Sequence, residues 1–310
     1  MRILLPCVLL LGACAHAPVA MNRVEFLNTD VRVTTHRDGD DLLSAGLGLA
    51  GLRTPLAPAP ADAAAPTAQE LRRRAIHANW RGIADLTGAQ GYGIGYGTLP
   101  AVPGREYQAF ARVPGARQPH RVLAQVPDAF DAGARCLVVT ASSGSRGAYG
   151  AMAIAAAWGL PRGCAVVHTD KGTGTGFYDV DSATGVALDG TRAARGTVPL
   201  EFEPETTGAP AHAVAIKHAH SGDNPEADWG RHVLQAAHFG LHALDLAFPA
   251  QAPFTARNTR IIAAGISNAG GAVLRAGELD EEGLFDAVVA AAPNITAPGA
   301  RPLYDYGWFV

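Results

Sequence analysis

Clustered positive charge is scarce in this chain. Its 310 residues hold 25 Lys and Arg against 28 Asp and Glu, for a formal net charge of -3 and a pI near 6.4. No run of Lys and Arg is long enough to clamp a phosphate backbone, so nucleic acid is excluded as a partner. Long apolar runs are missing too. The stretch Ile3 to Leu11, interrupted by Pro6, is too short to cross a bilayer as a mature helix. Cysteine is sparse, with four residues of which Cys7 and Cys14 fall in that N-terminal stretch. No repeat recurs at solenoid or propeller periods. What is present, 48% hydrophobic and 17% charged residues, is enough to bury a sizeable core as one large domain or a domain plus an extension.

Residues 1–20 read as an export signal: Arg2 gives the positive start, the apolar run follows, and small residues come next. Leu11-Gly12-Ala13-Cys14 resembles the bacterial lipobox, which predicts cleavage before Cys14 and membrane attachment through lipid on it. The competing expectation is plain secretion after a cut near Ala15-His16-Ala17, which Pro18 disfavours. Either way the product is expected to be secreted or periplasmic. Cys136 and Cys164 begin two successive predicted strands, and an exported protein permits a disulfide between them. Two buried thiols packing as small apolar groups are the alternative.

Beyond a Pro- and Ala-rich loop at residues 56 to 66, Leu71, Ile76, Trp80, Ile83 and Leu86 recur at helical spacing from Ala68 to Leu86. The run Arg72-Arg73-Arg74 is expected on the solvated side of that helix. Residues 21–104 are read as an N-terminal extension and 105–310 as the catalytic domain. Strands are expected at Tyr107 to Val113, Arg121 to Val126 and Cys136 to Thr140, then an Ala-rich helix at Ala148 to Trp158. Cys164 to Thr169, Arg260 to Ala264 and Ala287 to Ala291 are expected strands, and Ala227 to Phe248 and Ala269 to Gly277 expected helices. That alternation predicts a doubly wound, mostly parallel sheet of the α/β class. The polar, Gly- and Pro-rich stretch 171–224 is too long for a connection, and reads as an insertion over the top of the sheet that helps shape a site.

The strand Arg260 to Ala264 runs into Gly265-Ile266-Ser267-Asn268-Ala269 and a helix opens at once, the context of a G-x-S-x-G nucleophile elbow with Ala in the last place. A turn this sharp tolerates only small residues two places either side of the serine. It sets Ser267 at a helix N-terminus, where the Asn268 amide is the candidate oxyanion donor. A structural turn serine is the other reading. The loop Ser142-Ser143-Gly144-Ser145 leaves an earlier strand at the point where α/β-hydrolases draw their second oxyanion amide, which makes Ser143 and Gly144 candidates. Ser143 or Ser145 as nucleophile is disfavoured by the elbow's steric rule, since no glycine stands two places before Ser145.

Phosphate binding by that loop is also disfavoured, since it lacks the Walker lysine and spacing. Lys171-Gly-Thr-Gly-Thr-Gly-Phe177 and Gly91-Tyr-Gly-Ile-Gly-Tyr-Gly97 lack the following helix that a dinucleotide loop needs, so no cofactor is expected. His238 and His242 lie four apart on a predicted helix, yet without an adjacent Glu or an evident third ligand no metal site is assigned.

Six stretches occur here in the order found in one family: Ser142-Ser-Gly-Ser-Arg-Gly-Ala-Tyr-Gly-Ala151, Trp158-Gly-Leu-Pro-Arg-Gly-Cys-Ala165, Thr169-Asp-Lys-Gly-Thr-Gly174, His218-Ala-His-Ser221, Asn224-Pro-Glu-Ala-Asp-Trp-Gly-Arg231 and Ser267-Asn-Ala-Gly-Gly271. They resemble the signature stretches of the D-(-)-3-hydroxybutyrate oligomer hydrolases. Asp40 to Gly48 and Arg301 to Tyr306 fit as well. The resemblance implies an exported serine esterase that cleaves short (R)-3-hydroxybutyrate oligomers, with Ser267 in the nucleophile's place and Ala269 where the family usually carries Gly. A small-molecule ester is thus the expected partner. A broader aryl or feruloyl esterase and a non-catalytic oligomer-binding lipoprotein are the rival expectations.

Family chains continue past the length seen here. The triad order Ser, acid, His places the remaining members after Ser267, where Asp280, Asp286 and Asp305 are available but no histidine follows His242. The sheet is therefore expected to be incomplete at its C-terminal side and the catalytic His to be missing. The alternative is a base supplied by His218, His220 or His242.

Overall fold

The structure, a computed structural model, describes residues 25–86, 98–174, 176–217 and 223–295, together with Gly299. The export signal, Cys14, the 91–97 glycine loop, His218, His220 and Asp305 lie outside the described residues.

The seven-stranded main sheet has the order β1-β2-β3-β5-β4-β10-β11. Four of these strands run parallel: β5 (Ala165–Thr169), β4 (Cys136–Ala141), β10 (Arg260–Ile266) and β11 (Ala287–Ala291). The apolar run Cys-Leu-Val-Val-Thr-Ala of β4 is buried at every position, as a parallel strand covered on both faces requires. On the other side of β5 the pairing turns antiparallel through β3 (His120–Pro127), β2 (Gly104–Ala111) and β1 (Arg32–His36). The mostly parallel α/β sheet predicted from the strand–helix alternation is the one found. β1 arises within the segment read as an N-terminal extension, so that segment is built into the sheet.

One face packs against α3 (Trp229–Ala247) and α4 (Asn268–Leu279) through Val233, Ala236, Leu244, Ala272 and Val273. The opposite face is covered by Leu42, Leu43, a short helix α1 (Gly48–Arg53), and α2 (Ala68–Ile83) with its buried Ile76 and Trp80. Thr67 starts α2 with a capping box: its side chain accepts the Glu70 amide while Glu70 accepts the Thr67 amide at 2.8 Å.

Two expectations need correction. Arg72 is not solvated with its neighbours. It lies on the same stripe as Ile76 and Trp80, four and eight residues on, and is 9% exposed. Its Nη2 and Nε donate to the two carboxylate oxygens of fully buried Glu106 at 2.9 and 3.0 Å, and its Nη1 to Asp40 at 2.9 Å. Gln125, Tyr149 and His36 complete the shell around Glu106. The Ala-rich segment is not one regular helix either. It passes from a 3₁₀ turn (Ala148–Ala151) through a π turn (Met152–Ala156) and a single α turn (Ala157–Gly159) to a second 3₁₀ turn (Leu160–Arg162). Tyr149, whose hydroxyl donates to Glu106 at 2.7 Å, fixes its first turn, and at its end Gly159 passes so close to Val166 and Val138 that a Cβ there would clash.

The 171–224 insertion folds into its own four-stranded antiparallel sheet, ordered β8 (Arg192–Ala194), β7 (Thr184–Val186), β6 (Phe177–Asp179), β9 (Val214–Ile216), around Tyr178, Leu200 and Phe202. It sits over the carboxyl end of β5. Arg121 donates to Glu201 at 2.9 Å and Gln118 to the Glu203 carbonyl at 2.8 Å, both from the adjoining start of β3. Cys136 and Cys164, at the amino ends of neighbouring β4 and β5, form a disulfide with their Cα atoms 4.6 Å apart.

Candidate active site

Ser267 stands between β10 and α4 at φ 56° and ψ -123°, a conformation that L residues avoid and that a strand-to-helix elbow imposes. The turn closes tightly. A Cβ on Gly265 would lie 2.4 Å from the Ala269 carbonyl oxygen, so only glycine fits there. Ala269, two places after the serine, is completely buried, which leaves room for nothing larger. Main-chain bonds clamp the turn: the Gly271 amide donates to the Ser267 carbonyl at 3.1 Å and the Asn294 amide to the same oxygen at 3.0 Å. The Ser267 side chain is exposed at the carboxyl end of the sheet. Asn268 is the first residue of α4, where amides have no intrahelical acceptor and the helix dipole favours negative charge.

The strand register sets the second predicted feature beside the first. Thr140 of β4 pairs with Ala264 of parallel β10, and its hydroxyl donates to the Ala264 carbonyl at 2.7 Å. The loop after β4 therefore leaves the sheet at the same end as the elbow. Ser142 and Ser143 are buried, and the Ser142 amide donates to the Thr169 carbonyl at 2.8 Å. Gly144 takes φ 66°, a left-handed value that suits glycine. The structure thus brings Ser267, Asn268, Ser143 and Gly144 to the ends of two adjacent strands.

The two candidate acids among the described residues, Asp280 and Asp286, do not join them. Asp280 accepts the amides of Leu284 and Phe285, both at 2.9 Å, at the far end of α4, roughly 18 Å along a helix of this length. Asp286 accepts the Ile261 amide at 2.7 Å, at the amino end of β10 and away from the elbow. Both carboxylates hold turns. His242 lines a cleft with Leu27, Val31 and Val198 on the β1 side of the sheet. His238 faces Glu282 at 3.7 Å.

A group of buried polar residues at this end of the sheet carries no sequence signature beyond its place in the Thr169-Asp-Lys stretch. Lys171, fully buried, donates from Nζ to the Gly144 carbonyl at 2.7 Å and lies 4.5 Å from the centre of the Trp229 ring. Burial pushes its ammonium down to about 8, against the charges of Asp170 and Glu226. Burial likewise drives His120 down to about 3 and His168 to about 4, and holds His232 well below its ordinary value. The His120 and His232 rings meet at a tilt of 44° with centroids 4.4 Å apart, and His120 bonds Thr169 at 2.9 Å and Gln235 at 2.6 Å. These rings are neutral packing elements at neutral pH.

Fold and elbow together define an α/β-hydrolase. The family model for 3HB-oligomer hydrolase (3HBOH) matches residues 10–303, and the chain belongs to that family. A D-(-)-3-hydroxybutyrate oligomer hydrolase of Cupriavidus metallidurans is 43% identical over 304 residues, covering 88% of this chain and 42% of the relative. One from Paraburkholderia xenovorans is 41% identical over 315 residues (92% and 44%), and one from Burkholderia cenocepacia 39% over 350 (97% and 50%). The chain spans about half the length of the curated relatives it matches. Among solved structures, the rice cell wall degrading esterase LipA from Xanthomonas oryzae aligns with a TM-score of 0.32 at 12% identity, over 69% of this chain and 44% of its own.

Proposed function

We propose that this chain carries the nucleophile of an esterase that cleaves (R)-3-hydroxybutyrate dimers and short oligomers to monomer. The observation that supports it most is the backbone of Ser267, an exposed residue held in the elbow conformation. In this reading Ser267 Oγ attacks the ester carbonyl, and the tetrahedral oxyanion accepts hydrogen bonds from the Asn268 amide and an amide of the loop after β4. The C–O bond breaks, the alcohol portion leaves with the proton that Ser267 gave up, and water hydrolyses the acyl-enzyme to free acid and Ser267. A cavity of about 530 Å³ between α2, β1 to β3 and the inserted sheet begins at Gly147–Tyr149, where the loop ends. Its walls mix Leu71, Leu123 and Phe177 with Arg32, Asp40, Arg72, Arg121 and Glu201, and neither Ser267 nor Asn268 lines it. Export through the N-terminal signal, with lipid on Cys14, belongs to the same proposal, supported by Arg2, the apolar run Ile3 to Leu11 and the lipobox-like Leu11-Gly12-Ala13-Cys14.

The test, run on the full-length protein, pairs a fluorophosphonate probe with assays on hydroxybutyrate dimer and on nitrophenyl and feruloyl esters. The expected result is labelling at Ser267, abolished in Ser267→Ala and retained in Ser145→Ala, with the dimer preferred. Labelling lost in Ser145→Ala alone would reverse the assignment, and a preference for aryl esters would replace the substrate. In a bacterial host that processes lipoproteins, a product starting at lipidated Cys14 is expected; a free N-terminus near Ala17 would restore plain secretion.

A further inference from the structure

The loop after β4 has to present an amide, and a peptide unit is planar and trans, so fixing its carbonyl fixes its N–H on the opposite side. The carbonyl of Gly144 is fixed. It accepts from Lys171 Nζ at 2.7 Å and from Ser142 Oγ at 3.3 Å, both on the inner side of the loop. The N–H that this arrangement turns outward belongs to Ser145, whose residue is exposed. Gly144 permits the orientation at φ 66°, with no atom within 4 Å of where a Cβ would stand.

Lys171 is itself over-determined. Its own φ is 49°, its amide donates to Thr169 Oγ1 at 3.0 Å, and its Nζ also reaches Thr173 Oγ1 at 3.3 Å. The Trp229 ring covers the ammonium from α3. Asp170, which accepts the amides of Arg121 and Gly172 at 2.9 and 3.0 Å, pins the backbone on either side. Burying an ammonium is costly unless its hydrogen bonds are made, and this one spends its best bond on a main-chain carbonyl of the candidate oxyanion loop. In a water-poor interior a cation also adds a favourable field for charge that develops nearby.

We propose that Lys171 is a positioning residue for ester cleavage: its ammonium holds the Gly144–Ser145 peptide so that the Ser145 amide serves as the second oxyanion donor beside that of Asn268. This rests on Ser267 being the nucleophile. The charged and titratable groups facing Lys171 are Asp170 from its own loop, Glu226 from the turn before α3, and His232 from α3.

The experiment compares wild type, Lys171→Met and Lys171→Arg by the rate of fluorophosphonate labelling, by kcat and KM on hydroxybutyrate dimer, and by melting temperature. Losing one oxyanion donor costs about 100- to 1,000-fold in kcat, and a donor that is misaligned costs less, so Lys171→Met is expected to fall about 10- to 100-fold in both rates. KM should stay within about twofold, because the donor acts on the transition state. Lys171→Arg should recover part of the loss. The wild-type labelling rate should decline through an alkaline limb near pH 8, a limb absent from Lys171→Arg. A folded Lys171→Met that labels at the wild-type rate overturns the proposal, as does a loss confined to KM. Should that variant not fold, a wild-type rate that is flat through pH 8, with native Trp fluorescence, overturns it equally. A wild type in which Ser267 takes no label removes the nucleophile reading itself, and this proposal with it.

Discussion

The amide of Ser267 donates to the carbonyl of Ala291 at 3.0 Å, which ties the elbow to the last residue of β11. This bond and those that clamp the Ser267 carbonyl use main-chain atoms alone. Ser267→Ala is therefore expected to unfold within about 0.5 kcal/mol of wild type while losing all probe labelling. Urea denaturation followed by circular dichroism checks the first half. A markedly less stable variant would mean that the hydroxyl holds the turn and is not free to react.

The two small residues flanking the serine should respond differently. In Gly265→Ala the new methyl would lie 2.4 Å from the Ala269 carbonyl, so the elbow must open, and both labelling and melting temperature are expected to drop. Ala269→Gly removes a methyl from a helix at a cost of about 1 kcal/mol and should keep labelling within a few fold. Equal losses in the two variants would show that the clash is relieved elsewhere.

Arg72 and Glu106 should behave as a unit. Arg72→Met strands a carboxylate in the core, and breaking a buried pair in this way costs about 3–5 kcal/mol. Adding Glu106→Gln removes the stranded charge, so the double variant is expected to be more stable than Arg72→Met alone. A double-mutant cycle in urea measures the coupling; additive losses would argue that the two residues are independent.

Protonation of buried histidines sets the acid side of stability. Burial holds His120 near 3, His168 near 4 and His232 far down, whereas the unfolded chain takes up these protons near the ordinary value of 6.5. Their contribution is full above 6.5 and is lost as pH falls toward 4 and 3. His36 has the opposite sign. Burial opposes its charge, but hydrogen bonds to Asp40 and Glu106 outweigh that and raise it, so its contribution is full below 6.5 and is lost as pH rises through the raised value. Below pH 6.5 the His36 contribution is constant, and the three depressed histidines outnumber buried Asp170, whose raised carboxyl works the other way, so the denaturation midpoint is expected to decline from pH 6.5 to 4, with a shallower decline in His168→Gln. A midpoint rising over that window would contradict the assignment.

The disulfide closes a loop between positions 28 apart, worth roughly 3.5 kcal/mol if the unfolded chain bears the whole effect. It joins the amino ends of β4 and β5, whereas Ser267 lies at the carboxyl ends. Replacing Cys136 and Cys164 by Ala should lower the melting temperature and leave the labelling rate at 25 °C unchanged. A matching loss of labelling would show that strain travels the length of the strands.

The elbow and its companion loop were legible because they are local: a strand, a few small residues and a helix opening are all written in consecutive positions. The parallel strands were legible for the same reason, through apolar runs such as Leu137 to Val139. What escaped depends on partners distant in sequence. Arg72 looks like Arg73 and Arg74 until the stripe through Ile76 and Trp80 is followed back one turn, and nothing adjacent announces that Glu106 will be its partner. The regular helix expected at Ala148 to Trp158 failed because a poly-alanine pattern records propensity, while the pitch was decided by Tyr149 reaching Glu106 and by Gly159 meeting the sheet. Lys171 sits in a stretch whose glycines and threonines suggest only turns.

The ion pair between Arg72 and Glu106 also limits how this chain can diverge. Either residue alone is a liability in the core, so a lineage that loses one is under immediate pressure to lose the other. Drift at position 72 should be correlated with drift at 106 and, more weakly, at 40, while exposed Arg74 varies freely and half-buried Arg73, which donates to the Ala45 carbonyl, varies less. The three arginines that look equivalent in the sequence are thus expected to have different histories.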